Sequence, residues 1–287
     1  MDREGAGRGY LEHLTDADLE VLSAWIGMDT ERAGELRGQP ETVLDLFDHP
    51  ELFDRVYGPD PAGLIGISPF FTFLVAVEQA AREISVAPFL AERSAPRQRV
   101  PVFDAPRLRD FLIDPMRRLF LAELLASFVR VASGRYWTRT ARGWRSQRYS
   151  ELDPLRLAQL AEQTPRAYRP GAYRRLGDVS LFLTGVFPDY AQLYAFGPFD
   201  TARLLRATGL AQDDESGLLT APPIQLLEHL GQRWYRLASE LAPVATAQLA
   251  VVSQVADRFR DARRILNHIA DHHFSRVDNP WFGPPGS

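Results

Sequence analysis

Histidines cluster in His268-Ile-Ala-Asp271-His272-His273. His268 and His272 are four residues apart, a spacing that places two imidazoles on one face of a helix and presents both to one metal ion. A stronger pattern argues against that use. Val252, Val255, Phe259, Ala262, Leu266, Ile269 and His273 recur at alternating steps of three and four, which is a heptad seam. On a helical wheel His268 lies about 150° from the centre of the seam, so it is expected to face solvent, with only His273 turned inward. The chain has no Glu-x-x-His, so the carboxylate-rich di-metal bundle pattern is missing. The expectation is no metal and no cofactor, with His268 and His272 as the only candidates and a basic helix end as the plainer account.

Three carboxylates interrupt apolar helices: Glu78 after Phe73-Leu-Val-Ala-Val, Glu123 within Phe120-Leu-Ala-Glu-Leu-Leu, and Asp178 within Leu176-Gly-Asp-Val. A buried charge is costly unless paired. Arg82 is four residues beyond Glu78, Arg174 is one turn before Asp178, and Arg117, Arg118 or Arg130 can serve Glu123. The acids are therefore either structural ion pairs or, with Arg174, the walls of an internal polar pocket built from Glu78, Glu123, Arg174 and Asp178. Gly177 and Gly185 sit in that same apolar helix, where glycine costs stability, so a close neighbour is expected there.

An exposed candidate is Arg135-Tyr-Trp-Thr-Arg-Thr, joined through Ala141-Arg142-Gly143 to Trp144-Arg-Ser-Gln-Arg-Tyr. The composition predicts a β-hairpin at about 135–149. A three-residue loop closing on Gly143 sets Arg139 opposite Arg145, Trp137 opposite Gln147 and Arg135 opposite Tyr149. Arg135, Trp137, Arg139, Arg145 and Tyr149 then form a partner-binding face. Opposed arginines call for an anion, supplied by Glu151 or Asp153, by a partner's acid or by a phosphate. Arginine with aromatics also suits protein hot spots and single-stranded nucleic acid, the latter the less expected.

Helices position all of these groups. Thr15 caps a helix to about Met28 and Thr30 a second ending at Gly38. Pro40, Pro50, Pro69, Pro115, Pro154, Pro170 and Pro223 stand where further helices begin. Thr246–Phe274 reads as one long helix carrying the seam, packed within a bundle or against a second copy. Residues 86–106 read as a surface connection. The fold class expected is mainly α, a bundle-like orthogonal array with one hairpin. It forms a single domain over 1–278, with a helical subdomain at 10–58 and an extended tail at 279–287.

Composition narrows the chemistry. The 287 residues carry a net charge of -4, which gives no general pull toward nucleic acid. There is no cysteine, and all 33 basic residues are arginine. Disulfides, thiolate ligands, Schiff-base chemistry and a phosphate-loop lysine are thereby excluded. No Gly-x-Gly-x-x-Gly, Gly-x-Ser-x-Gly or His-Glu-x-x-His occurs. The start, Met-Asp-Arg-Glu-Gly, lacks the apolar stretch of a signal peptide. The apolar runs Ile67–Val77 and Val179–Phe187 fall short of the roughly 20 residues of a membrane span. A cytoplasmic, bacterium-like setting is expected.

The stretches Val100-Pro-Val-Phe-Asp, Ala122-Glu-Leu-Leu-Ala-Ser-Phe and Arg175-Leu-Gly-Asp-Val-Ser-Leu-Phe-Leu-Thr-Gly-Val-Phe-Pro-Asp resemble a family of bacterial all-helical proteins without an assigned activity. The resemblance implies one natural unit and carries no site. The function expected is a non-enzymatic helical binding or adaptor protein, recognising a protein partner, a second copy of itself or a small ligand. An enzyme or sensor using the internal pocket is the alternative, and nucleic-acid binding through the hairpin is third.

Overall fold

The computed structural model describes residues 3–58, 66–95, 98–130, 133–140, 143–193, 197–207, 218 and 220–274. Residues 59–63, which read as a loop, and the tail at 279–287 lie outside them, as does the loop expected over 212–220 apart from residues 218 and 220. The fold is mainly α, as the proline and cap pattern predicts. Contacts group the chain into two compact units. One comprises Met1–Glu92, Val100–Val129 and His268–Gly283; the other comprises Arg93–Arg99, Arg130–Asn267 and Pro284–Ser287. The predicted 10–58 segment falls wholly inside the first.

The first unit begins with a helix absent from the sequence reading, α1 (Arg3–His13). α2 (Asp16–Trp25) starts as expected at Thr15, which forms a reciprocal capping box with Asp18. A 3-10 helix over Thr30–Gly38 follows, capped by Asp29 rather than Thr30. α3 (Pro40–Phe47) and α4 (Pro50–Tyr57) each begin on their proline. α5 (Pro69–Val86) is capped by Ser68 and buried on nearly every side from Phe70 to Ala80. An apolar helix of this kind belongs at the centre of its unit, and α3, α4, α6 (Ala105–Leu112) and α7 (Pro115–Ser127) pack around it.

The stretch read as a surface connection differs. Leu90–Ala95 and Gln98–Val102 pair as a two-stranded sheet, β1 and β2. Pro101 lies near the end of β2, a position open to proline in an edge strand.

The second unit holds the predicted hairpin, β3 (Ser133–Thr140) and β4 (Gly143–Ser150). Its helices are α8 (Pro154–Gln163), α9 (Arg169–Val186), α10 (Pro188–Leu193), α11 (Pro198–Ala207), α12 (Pro223–Glu240) and α13 (Ala247–Asp257). α9 is buried from Leu176 to Val186, except for the half-buried Asp178, and lies along α12. The expected close neighbours are present: a Cβ on Gly177 would meet the Tyr235 ring at 2.4 Å, and one on Gly185 would meet Leu266 at 2.7 Å.

The long terminal helix is broken in two places. α13 stops at Asp257, α14 (Phe259–Ile269) restarts after Arg258, and Ala270–Phe274 form a π-turn. The seam itself is buried from Val252 to His273. Of the opposite face, read as Asp257, Arg258, Asp261, Arg264 and His268, Asp257 is exposed, Arg258 and Arg264 are half-buried, and Asp261 is buried, accepting from Arg258. Arg263 is buried too, paired with the buried Glu228.

Candidate metal centre

Among the described residues, one group of side chains has the geometry to share a metal ion: Glu83, His268 and His273, all in the first unit. Each offers one ligand atom, and the three atoms lie within 4.8 Å of one another. Glu83 is in the last turns of α5, with Oε2 2.8 Å from His268 Nε2 and 3.5 Å from His273 Nε2. Ligands about 2.1 Å from a tetrahedral ion stand about 3.4 Å apart. The Glu83–His273 spacing matches that, and the Glu83–His268 spacing is a hydrogen bond that an ion would have to open.

The site corrects the histidine reading in two ways. His268 does not face solvent: its side chain is 10% exposed. Its companion is His273 rather than His272. The π-turn is the reason, since i→i+5 bonding adds one residue per turn and brings positions five apart onto the same side. His272 instead lies flat against the His268 ring, centroids 4.1 Å apart, with Nδ1 2.9 Å from the His268 carbonyl.

The surroundings hold the trio in place. Phe53 meets the His273 ring edge-on at 4.9 Å and stacks on Tyr57, while Phe274 packs on Phe73. Glu83 Oε1 accepts from Gln79 Nε2 at 3.1 Å. Gln79 Oε1 in turn accepts from Arg82 Nε and Nη2. Burial works against ionisation of Glu83, but the hydrogen bond with His268, the nearby His273 imidazole and the Gln79 amide outweigh it. They hold the carboxyl well below the usual range. One defect stands out. His273 Nε2 is buried and has no hydrogen-bond partner, and His268 Nδ1 shares that condition. An unpartnered buried nitrogen costs free energy that a bound cation at Nε2 would recover.

The four residues proposed for an internal pocket are divided. Glu78 and Glu123 belong to the first unit, Arg174 and Asp178 to the second. Within the first unit the two acids serve different partners. Glu78 is fully enclosed, accepting from Tyr10 Oη at 2.6 Å and Arg118 Nε at 2.9 Å. Arg82, the partner expected for it, donates to Gln79 and the Phe47 carbonyl. Burial pushes the Glu78 carboxyl up, against the pull of Arg118 and Tyr10. Glu123 pairs with His13 at 2.7 Å. In the second unit Asp178 accepts from Tyr235 Oη at 2.8 Å.

The hairpin register also differs from the expected one. Arg139 pairs with Trp144, Thr138 with Arg145, Trp137 with Ser146, and Arg135 with Arg148. The loop is one residue shorter than predicted, and a one-residue slip exchanges faces. Positions 135, 137 and 139 therefore share a face with 144, 146 and 148, while Arg145 and Tyr149 fall on the other. Of the acids expected to balance the arginines, Glu151 accepts from Arg175 and Asp153 caps α8.

No protein-family model, curated protein or solved structure matches the chain. No described helix is long and apolar enough to cross a membrane.

Proposed function

We propose that this chain is a helical binding protein whose ligand is a divalent transition-metal ion, held by Glu83, His268 and His273. Two imidazoles and one carboxylate are borderline donors that favour Zn²⁺ and its neighbours over Mg²⁺ or Ca²⁺, which take oxygen ligands. The observation that carries the reading is the convergence of three ligand atoms within 4.8 Å, one of them the buried His273 Nε2, which makes no hydrogen bond. Without an ion, His273 Nε2 has only the 3.5 Å ion-pair contact with Glu83 Oε2 and no hydrogen bond. This reading has more support than partner recognition at the hairpin, whose five residues do not share a face.

Calorimetric titration of the chelator-stripped protein with Zn²⁺ tests it. One equivalent is expected to bind, with release of protons from the imidazoles as they take the ion. Loss of an outer-shell partner already weakens such sites about 10–100-fold, so Glu83→Gln and His273→Asn should each weaken binding by at least about 100-fold. His272→Asn should leave it nearly unchanged. Equal losses from His272→Asn and His273→Asn would refute the assignment, as would the absence of binding.

A further inference from the structure

We infer that the loaded centre keeps one coordination position open on its Glu83 side and fills it with a small anionic donor from solvent, such as hydroxide or a carboxylate. The inference rests on the metal reading above and concerns what the ion does once bound.

Counting donors gives the first step. Glu83 has two oxygens, but Oε1 is taken by the Gln79 amide at 3.1 Å. That amide cannot turn over freely. Its oxygen receives two hydrogen bonds from Arg82, at 3.1 and 2.9 Å, and Arg82 is itself anchored on the Phe47 carbonyl at 3.1 Å. The Gln79 oxygen therefore faces Arg82 and its NH₂ group faces Glu83. Glu83 is left with Oε2 as a single donor, and the protein supplies three ligands. Structural zinc sites close with four protein ligands; three plus a vacant position is the pattern of centres that bind an external ligand.

The nearest spare imidazole does not complete the set. His272 is stacked on His268 with Nδ1 directed to the His268 carbonyl, and the ion-sharing group among the described residues contains no fourth member. The direction of access follows from burial. Side-chain exposure rises from 2% at His273 to 10% at His268 and 33% at Glu83. Solvent therefore reaches the group past Glu83. Charge selects the class of ligand. A divalent ion with one carboxylate and two neutral imidazoles keeps a net positive charge, so an anion is preferred to a neutral donor.

Cobalt substitution reads this directly. The full chain is loaded with one equivalent of Co²⁺, and its visible bands are followed while azide, then acetate, is added, and across a pH titration. Saturable band shifts with both anions are expected, together with a pH transition near about 7 for the metal-bound water. Gln79→Ala frees Oε1 to chelate, so azide should bind this variant roughly tenfold more weakly. Cobalt bands that ignore azide, acetate and pH would show a closed site and overturn the inference while leaving the metal reading standing. An unchanged azide affinity in Gln79→Ala would overturn the monodentate argument. Absence of cobalt bands altogether would overturn both.

Discussion

Gly177 offers a stability test with an internal control. It lies in the interior of α9, where alanine is favoured over glycine by about 1 kcal/mol. Gly171, near the start of the same helix, has nothing within 4 Å of its would-be Cβ. Gly171→Ala should therefore be neutral or stabilising by up to about 1 kcal/mol. At Gly177 the new methyl would stand 2.4 Å from Cδ1 and 2.5 Å from Cε1 of Tyr235. The ring cannot simply retreat, because it is fully buried and its hydroxyl donates to Asp178 Oδ1 at 2.8 Å. Overpacking costs about 1–3 kcal/mol, and losing a hydrogen bond to a charged group costs about 1.5–3 kcal/mol. With the propensity gain subtracted, a net loss of about 2 kcal/mol or more is expected. At about 2–4 °C per kcal/mol for a chain of this size, Gly177→Ala should lower Tm by at least about 4 °C. Circular dichroism melts of the two variants measure it. Tyr235→Leu in the Gly177→Ala background should recover part of the loss, since it removes the obstructing ring. A Gly177→Ala protein melting at or above Gly171→Ala would refute the close-contact account of this helix.

Two further outcomes follow from the polar clusters of the first unit. Arg118→Met leaves Glu78 buried with only Tyr10 as partner, and should cost about 3–5 kcal/mol in urea denaturation, whereas the Glu78→Gln, Arg118→Met pair should cost less than the sum of its parts. Because burial raises the Glu78 carboxyl, the folded state holds its proton longer than the unfolded chain. The Arg118→Met protein should therefore lose stability as pH rises above about 4.5, and a midpoint that climbs over that range would contradict the assignment. His13 titrates above its usual 6.5, chiefly through its hydrogen bond with Glu123. The pair's contribution is present below that pH and fades as pH climbs through the folded value. An NMR titration should find the His13 midpoint lowered by Glu123→Gln; an unmoved midpoint would remove Glu123 as the cause.

Local features were legible in the sequence and long-range partners were not. Pro50–Tyr57 and Pro154–Gln163 are bounded by the residues the chain itself supplies, a proline at the first helical position with a cap or turn beside it. The seam from Val252 to His273 was readable because burial on one face imposes its own period. Glu78 shows the limit. Its burial followed from five apolar neighbours, but its partners are Tyr10 and Arg118, 68 and 40 residues away, and the nearby Arg82 turns elsewhere. Spacing ranks partners within a turn of helix and is silent beyond it. The hairpin failed on a smaller quantity: with one residue fewer in the loop, every position of β4 opposes a different neighbour.

The histidine site turns on a comparable single residue. In a continuous α-helix His268 and His272 are about 40° apart and His268 and His273 about 140° apart, so no reading of an uninterrupted helix could pair the second set. The π-turn at Ala270–Phe274 turns less per residue, so His273 comes round to the side of His268 and reaches Glu83, while His272 stays stacked on His268. π-turns are rare and concentrate at functional sites, and here the turn coincides with three convergent ligand atoms and a buried nitrogen that makes no hydrogen bond. The contrast between His272→Asn and His273→Asn is therefore a test of backbone geometry as much as of metal binding. The π-turn sets His273 beside His268 and Glu83, and His272 outside the group.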